Sequence, residues 1–416
     1  MKILMVNKFL YPNGGSETYI FKLGEQLIKM GHEVQYFGME HEGRIVGNAI
    51  NCYTKNMDFY TGKLEKILYP FKIIYSREAA QKITQVLKSF TPDIVHINNF
   101  NFQLTPSIIY AIRKFEKSSN YKIKIVYTAH DYQWVCPNHM LMIPSNKELC
   151  TRCEGGHYAN CIRHRCVHNS LVKSILGAIE GKLYFLLGTY KKVDAIICPS
   201  EFLKKKLENY KGIADKLIAL HNFEDKKVDT SNSESKLEYK VGSITNNITE
   251  NTTDYVLYFG RYSEEKGVRT LLNVCKKLPE ISFVFAGGGP LEDEVNSVAN
   301  IKNLGFLSGE KLYGTIRNAK FVVFASEWYE NCPFSVMEAI SFGTPVIGTS
   351  IGGVPELISN NVNGLLYESG NAEELKNKVE FLWNNREDVL RLREGCKETE
   401  FDSLVTYCAR LIKIYK

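Results

Sequence analysis

Short apolar runs alternate with longer amphipathic stretches along most of the chain. KILMVNKF, PDIVHINN and VDAIICPS in the first half, and DYVLYFGRY, ISFVFAGGG and KFVVFAS in the second, are typical of strands buried in a parallel sheet. SETYIFKLGEQLIKMG has helical apolar spacing, and we expect Ser16 to be its N-cap and Gly31 to end it. The pattern therefore predicts an α/β protein with one parallel sheet in each half and a cleft between the two sheets.

A polar stretch from about residue 224 to residue 254 separates the two halves. It is rich in Ser, Asn, Thr and Lys and poor in apolar residues, which indicates a surface insertion or a loose linker. We therefore expect an N-terminal domain over 1–222 and a C-terminal domain over 223–400 that contains this insertion. Residues 401–416 are predicted to form a final amphipathic helix.

Length and composition limit the class of protein. A chain of 416 residues is too long for one typical core and favours two domains. The net charge of +6 suits an anionic ligand or a membrane surface but is too small to indicate nucleic acid. No apolar run is long enough to span a bilayer, and the N-terminus lacks the cleavage site of a signal peptide. We therefore predict a cytoplasmic protein without a disulfide framework.

Two stretches suit an anionic ligand in the predicted cleft. In PNGGSETY, Gly14 and Gly15 lie between a strand and a helix, where bare backbone N–H groups can approach a phosphate. In FGRYSEEKG, Arg261 and Lys266 lie just past the carboxyl end of a strand, the usual binding edge of an open α/β sheet. Taken singly, the glycines are equally compatible with a simple turn, and the cations with a solvated surface.

Two glutamates follow in the segment SEWYENCPFSVMEAI. Glu330 lies on a predicted loop, and Glu338 lies one turn into a helix that begins near residues 333–335 and offers its first N–H groups to a diphosphate. A carboxylate at this depth can hold ribose hydroxyls, while the loop glutamate can meet a different polyol. The arrangement therefore predicts a nucleotide-sugar ligand. A glutamate near a helix N-terminus also has a purely structural explanation, because it complements the helix dipole.

The whole chain resembles the retaining glycosyltransferases of the GT-B fold, in glycosyltransferase family 4. The resemblance rests on GGSE with GHEV downstream, TAHD, FGRYSEEKG, the two glutamates, and GTPVIGTSIGGVPELI, which occur in order over both halves. It implies two Rossmann-like domains facing a cleft, with the C-terminal helix crossing back to the N-terminal domain. It also implies transfer from a nucleotide-diphosphate sugar to a saccharide or lipid-linked acceptor, in cell-surface polysaccharide or glycolipid biosynthesis.

The resemblance assigns the diphosphate to one set of residues. Arg261 and Lys266 would neutralise it and stabilise the leaving nucleotide in place of a divalent metal, so transfer would need no cofactor. Gly15, next to Gly14, would lie beside the diphosphate. Because no nucleophile pair of the kind used by retaining glycosidases is evident, the departing phosphate oxygen is the expected base in a front-face substitution.

The sugar and ribose contacts follow from the same resemblance. Glu338 would hold the ribose hydroxyls, and Glu330 the hydroxyls of the transferred sugar. His130, in TAHD, would bind a sugar hydroxyl. Backbone N–H groups of Phe334 and Ser335 would contact the phosphate or the sugar.

A cysteine-rich insertion occupies about residues 136–168. Cys150 and Cys153 form a Cys-x2-Cys pair followed by Cys161 and Cys166, which is compatible with a structural zinc site. An iron–sulfur cluster and a set of reduced thiols are the alternatives. The spacing does not decide which of the five thiols, Cys136 included, is left over. Small regions without a core of their own often need such a staple, and the location argues for shaping the acceptor side.

A basic, aromatic stretch, GKLEKILYPFKIIYSR, precedes this insertion. It has near-helical apolar spacing and several lysines. In similar enzymes, basic aromatic helices of the N-terminal domain contact the membrane to reach lipid-linked acceptors. The resemblance therefore implies a peripheral location at the inner face of the membrane, whereas a core-facing helix with a solvated basic face is the structural alternative.

Two other functions compete with a transferase. A nucleotide-sugar epimerase or hydrolase on the same fold would need acid and base carboxylates near the sugar and would process donor without acceptor. A non-catalytic nucleotide-sugar binding protein would not need Arg261, Lys266 and Glu330 together.

Overall fold

Two six-stranded parallel sheets dominate the structure, a computed structural model that describes residues 1–56, 72–224 and 254–416. The strands of the first half are β1 (Lys2–Val6), β2 (Glu33–Phe37), β3 (Ile94–Ile97), β4 (Lys124–Thr128), β5 (Met142–Ile143), β6 (Glu148–Leu149), β7 (Ala195–Cys198) and β8 (Leu217–Ala219). The first sheet has the order β2-β1-β3-β4-β7-β8, while β5 and β6 form a separate antiparallel hairpin.

The second sheet repeats this architecture. Its strands are β9 (Val256–Arg261), β10 (Phe283–Gly288), β11 (Ile301–Asn303), β12 (Phe321–Phe324), β13 (Val346–Thr349) and β14 (Gly364–Tyr367). They run in the order β11-β10-β9-β12-β13-β14. Short strands that are almost continuously apolar fit this arrangement because helices cover both faces of a parallel sheet. The predicted α/β fold with two parallel sheets is confirmed.

Helices connect and cover the strands. In the first half they are α1 (Gly15–Lys29), α2 (Arg77–Phe90), α3 (Ser107–Ser119), α4 (Ala159–Arg163), α5 (Leu171–Leu186) and α6 (Glu201–Glu208). In the second half they are α7 (Val268–Lys277), α8 (Glu292–Asn296), α9 (Gly309–Asn318), α10 (Phe334–Ser341), α11 (Ala372–Asn384), α12 (Arg386–Glu398) and α13 (Leu404–Tyr415). None of the helices in the described ranges is long and apolar enough to cross a membrane.

The start of α1 differs from the prediction. The helix begins at Gly15, so Gly14 occupies the N-cap position, without a side-chain cap. Ser16 lies inside the first turn, where its hydroxyl donates to Glu17 Oε1 at 3.0 Å. The prediction of Ser16 as N-cap is therefore wrong, because its hydroxyl is used by the neighbouring carboxylate. Gly31 follows the helix with a φ of 84°, a conformation that favours glycine.

The C-terminal helix α13 packs on the first sheet's helical layer. The hydroxyls of Tyr407 and Tyr19 are 2.8 Å apart, and Tyr415 Oη lies 2.7 Å from His96 Nδ1. Burial lowers the pKa of His96 to about 3, so this ring is neutral at pH 7. The helix thus joins the end of the chain to the first half. The predicted boundaries at residues 222 and 400 stay predictions.

Two sequence predictions concern residues that the structure does not describe. Most of the basic, aromatic stretch lies in the range 57–71. The polar insertion predicted between about 224 and 254 lies almost entirely in the range 225–253. Both predictions therefore lie outside the described residues.

Candidate active site

The strand order places two loops of the second sheet beside each other. β9 lies between β10 and β12, so the chain leaves β9 toward one side and returns on the other. Such a switch point opens a crevice at the carboxyl ends of the two strands. Arg261 is the last residue of β9, Lys266 lies in the turn that follows, and Glu330 lies in the loop after β12. The fold therefore brings residues from these two loops to one crevice.

Lys266 and Glu330 are in direct contact. Lys266 Nζ lies 2.5 Å from Glu330 Oε1 and 5.2 Å from the centre of the Trp328 ring. The same carboxylate oxygen accepts hydrogen bonds from Trp328 Nε1 at 2.6 Å and from Ser326 Oγ at 2.8 Å. Glu330 Oε2 has no donor among the described residues. One oxygen thus fixes the side chain, and the other can meet a ligand hydroxyl.

Glycines allow the loops that carry this pair to approach closely. Gly267 has a φ of 67°, and a Cβ there would lie 1.8 Å from the carbonyl oxygen of Ala325. Gly352 has a φ of 63°, and a Cβ there would lie 2.4 Å from the carbonyl oxygen of Glu330. The next residue, Gly353, donates its N–H to that same oxygen at 2.7 Å. The glycines of FGRYSEEKG and GTSIGGV therefore position Lys266 and Glu330 through backbone packing.

Arg261 stands apart from this pair. Its side chain is exposed, and its guanidinium has no acceptor among the described residues. Its carbonyl oxygen accepts a hydrogen bond from Tyr258 Oη at 2.9 Å, which holds the strand end. The structure therefore places an uncompensated cation at the edge of the crevice, without bringing it into contact with Lys266 or Glu330.

The first half supplies the opposite wall of the cleft. A Cβ added at Gly15, next to the N-cap residue Gly14, would lie 3.9 Å from the ring of Phe334. Phe334 is the first residue of α10, and its ring lies 5.7 Å from that of Phe223. The glycine turn and the start of α10 are thus neighbours across the cleft, as the assignment of Gly14, Gly15 and Phe334 to one ligand requires.

The N-terminus of α10 faces this contact. Pro333 is extended and precedes the helix, and the backbone N–H groups of Phe334 and Ser335 have no acceptor among the described residues. Free N–H groups in the first turn of a helix attract anions. Glu338 lies one turn further along α10 and is partly buried. The placement of all three residues agrees with their predicted position, while their roles stay predictions.

His130 follows β4 and lies at the junction of the two halves. Its carbonyl oxygen accepts a hydrogen bond from Asn331 Nδ2 at 2.9 Å, and its Nε2 lies 2.9 Å from Asn98 Oδ1. Burial lowers the pKa of His130 to about 4, although the neighbouring Asp131 carboxylate acts in the opposite direction. The ring is thus neutral at pH 7, with Nε2–H donating to Asn98. Its Nδ1 is then a hydrogen-bond acceptor that suits a sugar hydroxyl.

Glu356 joins the halves in a way that the sequence did not reveal. Its carboxylate accepts the backbone N–H groups of Glu201 and Phe202, both at 2.8 Å, and contacts His221 Nε2 at 2.7 Å. Burial alone would raise the pKa of Glu356, but the hydrogen bonds from His221 and from the two N–H groups lower it below its usual value. Glu356 therefore caps α6 of the first half from the second half. In the sequence, only the GGVPELI motif marked Glu356, and this motif did not indicate which residues the glutamate contacts.

The cysteines of the insertion come together. Cys150, Cys153, Cys161 and Cys166 line one small cavity together with Cys136. Within the described ranges, however, no three His, Cys, Asp or Glu side chains are arranged so that they could hold a metal ion. The predicted zinc ligands are thus neighbours, but they are not gathered at metal-binding spacing.

Two sequence families match the chain. The family described as Glycosyltransferase Family 4 matches residues 13–227, and the family described as Glycosyl transferases group 1 matches residues 244–399. Together they cover both halves of the cleft.

Three individual relatives share between 24% and 27% sequence identity with the chain. An uncharacterized protein in the cps region of Klebsiella pneumoniae is 26% identical over 381 residues, which cover 86% of this chain and 87% of that protein. Alpha-monoglucosyldiacylglycerol synthase of Streptococcus pneumoniae is 24% identical over 395 residues, covering 88% of this chain and 75% of the synthase. An uncharacterized glycosyltransferase of Methanocaldococcus jannaschii is 27% identical over 240 residues, 56% of this chain, and the match spans 61% of that protein.

Solved structures share the fold over the whole chain. HepE of Anabaena in complex with UDP has a TM-score of 0.62 at 15% identity and covers 100% of this chain and 99% of its own. Sucrose-phosphate synthase of Thermosynechococcus elongatus has a TM-score of 0.68 at 14% identity, with coverage of 100% and 98%. These likenesses confirm the GT-B fold. The family matches include strands of both sheets and the residues of the cleft described above. The chain therefore belongs to glycosyltransferase family 4.

Proposed function

We propose that this glycosyltransferase moves a sugar from a nucleoside-diphosphate sugar to a saccharide or lipid-linked acceptor, with retention of anomeric configuration and without a metal at the diphosphate. The observation that carries the proposal is the Lys266–Glu330 pair at the switch-point crevice, with the exposed Arg261 at the end of β9 and the N-terminus of α10 shortly after Glu330 in the chain. Two side-chain cations and free helix N–H groups suit a diphosphate.

The donor would lie across these groups. Arg261 and Lys266 hold the diphosphate, with the N–H groups of Phe334 and Ser335 alongside. Glu338 takes the ribose hydroxyls, since it lies one turn into the helix. Glycines 14 and 15 let the opposite wall approach the diphosphate without side chains. HepE, which shares the fold, has been crystallised with UDP and with UDP-glucose.

The sugar would lie between the two walls. Glu330 Oε2 accepts hydrogen bonds from its hydroxyls, and His130 Nδ1 accepts another from the opposite side. As transfer proceeds, the bond between the anomeric carbon and the phosphate oxygen breaks, and a bond to the acceptor oxygen forms on the same face. The acceptor proton passes to the departing phosphate oxygen. The cations stabilise the charge that develops there, which is commonly the largest catalytic contribution.

Transfer itself is the direct test of this proposal. Full-length protein is incubated with labelled nucleotide-sugars, one at a time, and with diacylglycerol vesicles or simple saccharides as acceptors. We expect one donor to give labelled product of unchanged anomeric configuration, in a reaction that proceeds in excess EDTA because Arg261 and Lys266 replace the metal. Metal content is measured in the same sample afterwards, so that loss of a structural ion is not mistaken for loss of a catalytic one.

The same assay separates the competing functions. Consumption of donor at the same rate without acceptor would indicate an epimerase or hydrolase. Donor binding without turnover would indicate a binding protein. Strict dependence on added magnesium or manganese would contradict the assignment of the diphosphate to side-chain cations.

A lipid-linked acceptor is favoured by the outer face of α5. Its exposed apolar side chains are Leu171, Val172, Ile179, Leu183 and Leu186, followed by Leu187. Lys173 and Lys182 on this helix are exposed, whereas its one carboxylate, Glu180, is buried. The exposed charges of the helix are therefore all positive. Burial raises the pKa of Glu180 to about 8, so that side chain is neutral at pH 7. An apolar face with basic residues matches an anionic bilayer, and monoglucosyldiacylglycerol synthase, a relative, is named for a lipid product.

We expect the protein to bind vesicles that contain phosphatidylglycerol more strongly than vesicles of phosphatidylcholine alone. Val172→Ser with Leu186→Ser should weaken this binding at least about tenfold, since a fully buried side chain of this kind contributes ~1.5–3 kcal/mol. Val405→Ser with Leu390→Ser, at comparably exposed apolar positions on α13 and α12, is the control. Vesicle binding by the wild-type protein and by both double variants is measured by flotation. Equal binding of all three would exclude α5 as the membrane contact.

A further inference from the structure

The cysteine-rich insertion forms a small lobe in which half of the buried core residues are cysteines. The lobe lies between β4 and α5 and includes the β5–β6 hairpin and α4. The buried members of its apolar cluster are Ile143, Cys153, Tyr158, Cys161, Cys166 and Ala178. Three of these six are cysteines. So few carbon side chains provide little hydrophobic stabilisation, and regions of this size commonly rely on a staple.

All five thiols of the lobe line one cavity. Its volume is about 10 Å³, and its other lining residues are Pro137, Met142 and Asn160. The amide N–H₂ of Asn160 already donates to the carbonyl oxygens of Arg152 and His157, at 2.8 and 3.0 Å. The cavity has room for roughly one water-sized occupant, but a buried water needs two to four polar partners. Sulfur ligands suit a thiophilic cation better than water.

Two tight turns present the thiols in pairs. Cys153 lies in a turn closed by a hydrogen bond from Glu154 N to Thr151 O at 3.0 Å, and Cys150 directly precedes this turn. Gly155 and Gly156 follow with φ of 70° and 88°, values that favour glycine and turn the chain sharply after the pair.

The second pair lies at the end of α4. Cys166 N donates to Cys161 O at 3.1 Å, which closes the turn between them. Two such pairs supply the four sulfur ligands of a structural tetrahedral site.

The fifth thiol has a partner of its own. Cys136 Sγ donates to Asn138 Oδ1 at 2.8 Å, outside the two turns. Asn138 is itself held by its Nδ2, which donates to the carbonyl oxygens of Met142 and Cys166. Because Cys136 lies outside the two turns that carry the other four thiols, we assign it as the thiol left over, a choice that the spacing alone did not make.

We propose that Cys150, Cys153, Cys161 and Cys166 bind one Zn²⁺ ion in this cavity. Because the four side chains are not gathered at metal-binding spacing, binding requires them to rotate into the cavity that they line. Each thiol releases its proton to solvent as its sulfur coordinates the ion. The two turns are then crosslinked through the metal.

The crosslink would hold the lobe against the turn that carries Lys266. Lys147, in the β5–β6 hairpin, lies 2.5 Å from Glu264 Oε1, two residues before Lys266. Glu154, directly after the first cysteine pair, lies 3.1 Å from Lys206 Nζ on α6. The metal therefore stabilises the lobe between the turn that carries Lys266 and helix α6, without taking part in the reaction.

Elemental analysis of the purified full-length protein tests this inference, and it needs no substrate. We expect about one zinc per chain in protein prepared without chelator, and a loss of at least about tenfold in the Cys150→Ser, Cys153→Ser double variant. Cys136→Ser should keep its zinc, as should Cys275→Ser, a buried cysteine outside the lobe. Because the double variant can fail to fold, wild-type protein is also treated with a mercurial reagent, which should release zinc in parallel with titration of the thiols.

Each outcome decides the assignment. Folded wild-type protein without zinc, even after expression with added zinc, would overturn it in favour of reduced thiols. Iron with visible absorbance would overturn it in favour of an iron–sulfur cluster. Loss of zinc from Cys136→Ser would overturn the choice of ligands. A zinc-containing protein without sugar transfer would contradict the proposed function and leave this inference intact.

Discussion

Lys266→Ala is expected to lower kcat/KM for sugar transfer by ~10²–10³-fold, by analogy with the loss of one donor to a developing oxyanion. The substitution removes a cation from the proposed diphosphate site. It also leaves Glu330, whose side chain is only 11% exposed, without its ion-pair partner. An uncompensated carboxylate beside the crevice repels a diphosphate, which adds to the loss. Arg261→Ala should give a loss of similar size without changing Tm, because Arg261 is exposed and has no described partner.

The control for both substitutions is Lys302→Ala, which removes an exposed cation from the edge strand β11. Steady-state kinetics and Tm are measured for all three variants. If Lys266→Ala stays within a few-fold of wild type, the diphosphate lies elsewhere. If Lys302→Ala loses as much activity, the effect reflects net charge and not position.

Glu330→Gln is expected to lower kcat/KM by roughly 10²-fold, of the order seen when one transition-state contact is lost. The amide oxygen of glutamine can still accept from Trp328 Nε1 and Ser326 Oγ, so the loop should keep its shape. The variant loses the charge that pairs with Lys266, and an amide nitrogen takes the place of Oε2. Affinity for the free nucleoside diphosphate should therefore change little, whereas affinity for the nucleotide-sugar falls.

Glu327→Gln is the matched control, because Glu327 lies in the same loop but accepts a hydrogen bond from Thr270 on α7. Calorimetric titration with nucleoside diphosphate and with nucleotide-sugar separates the two affinities. Equal losses for both ligands in Glu330→Gln would show that the glutamate only supports the loop and does not contact the sugar.

The sequence predicted the features that follow from local periodicity. Most of the sheet strands are short apolar runs bounded by turn residues, so the two parallel sheets could be predicted, whereas β11, with the sequence IKN, has no such run. The binding edge could also be predicted, because Arg261 and Lys266 follow the carboxyl end of an apolar strand. The contact between Lys266 and Glu330 depends on β12 lying next to β9, and the periodicity of the sequence does not give that strand order.

Other contacts could not be predicted because they join distant parts of the chain through side-chain geometry. Asn331 donates to the carbonyl oxygen of His130, 201 positions away, and nothing in either local pattern indicates the partner. Glu356 caps α6 across the cleft in the same way. The wrong prediction of Ser16 as N-cap has a more local cause. The Ser16 hydroxyl donates to the neighbouring Glu17 carboxylate, which also accepts a hydrogen bond from Asn7, the residue after β1.

The central claim is that the crevice binds a nucleoside diphosphate through side-chain cations. A thermal-shift screen with the common nucleoside diphosphates and their sugars, in EDTA, tests it most directly. At about 100 times its Kd, a ligand stabilises the folded state by ~2.7 kcal/mol, which corresponds to roughly 5 °C or more for a domain of about 200 residues. We predict such a shift for one base and its sugars in wild-type protein, and its loss in Lys266→Ala. No shift with any of these ligands at millimolar concentration, or an undiminished shift in the variant, would contradict the account.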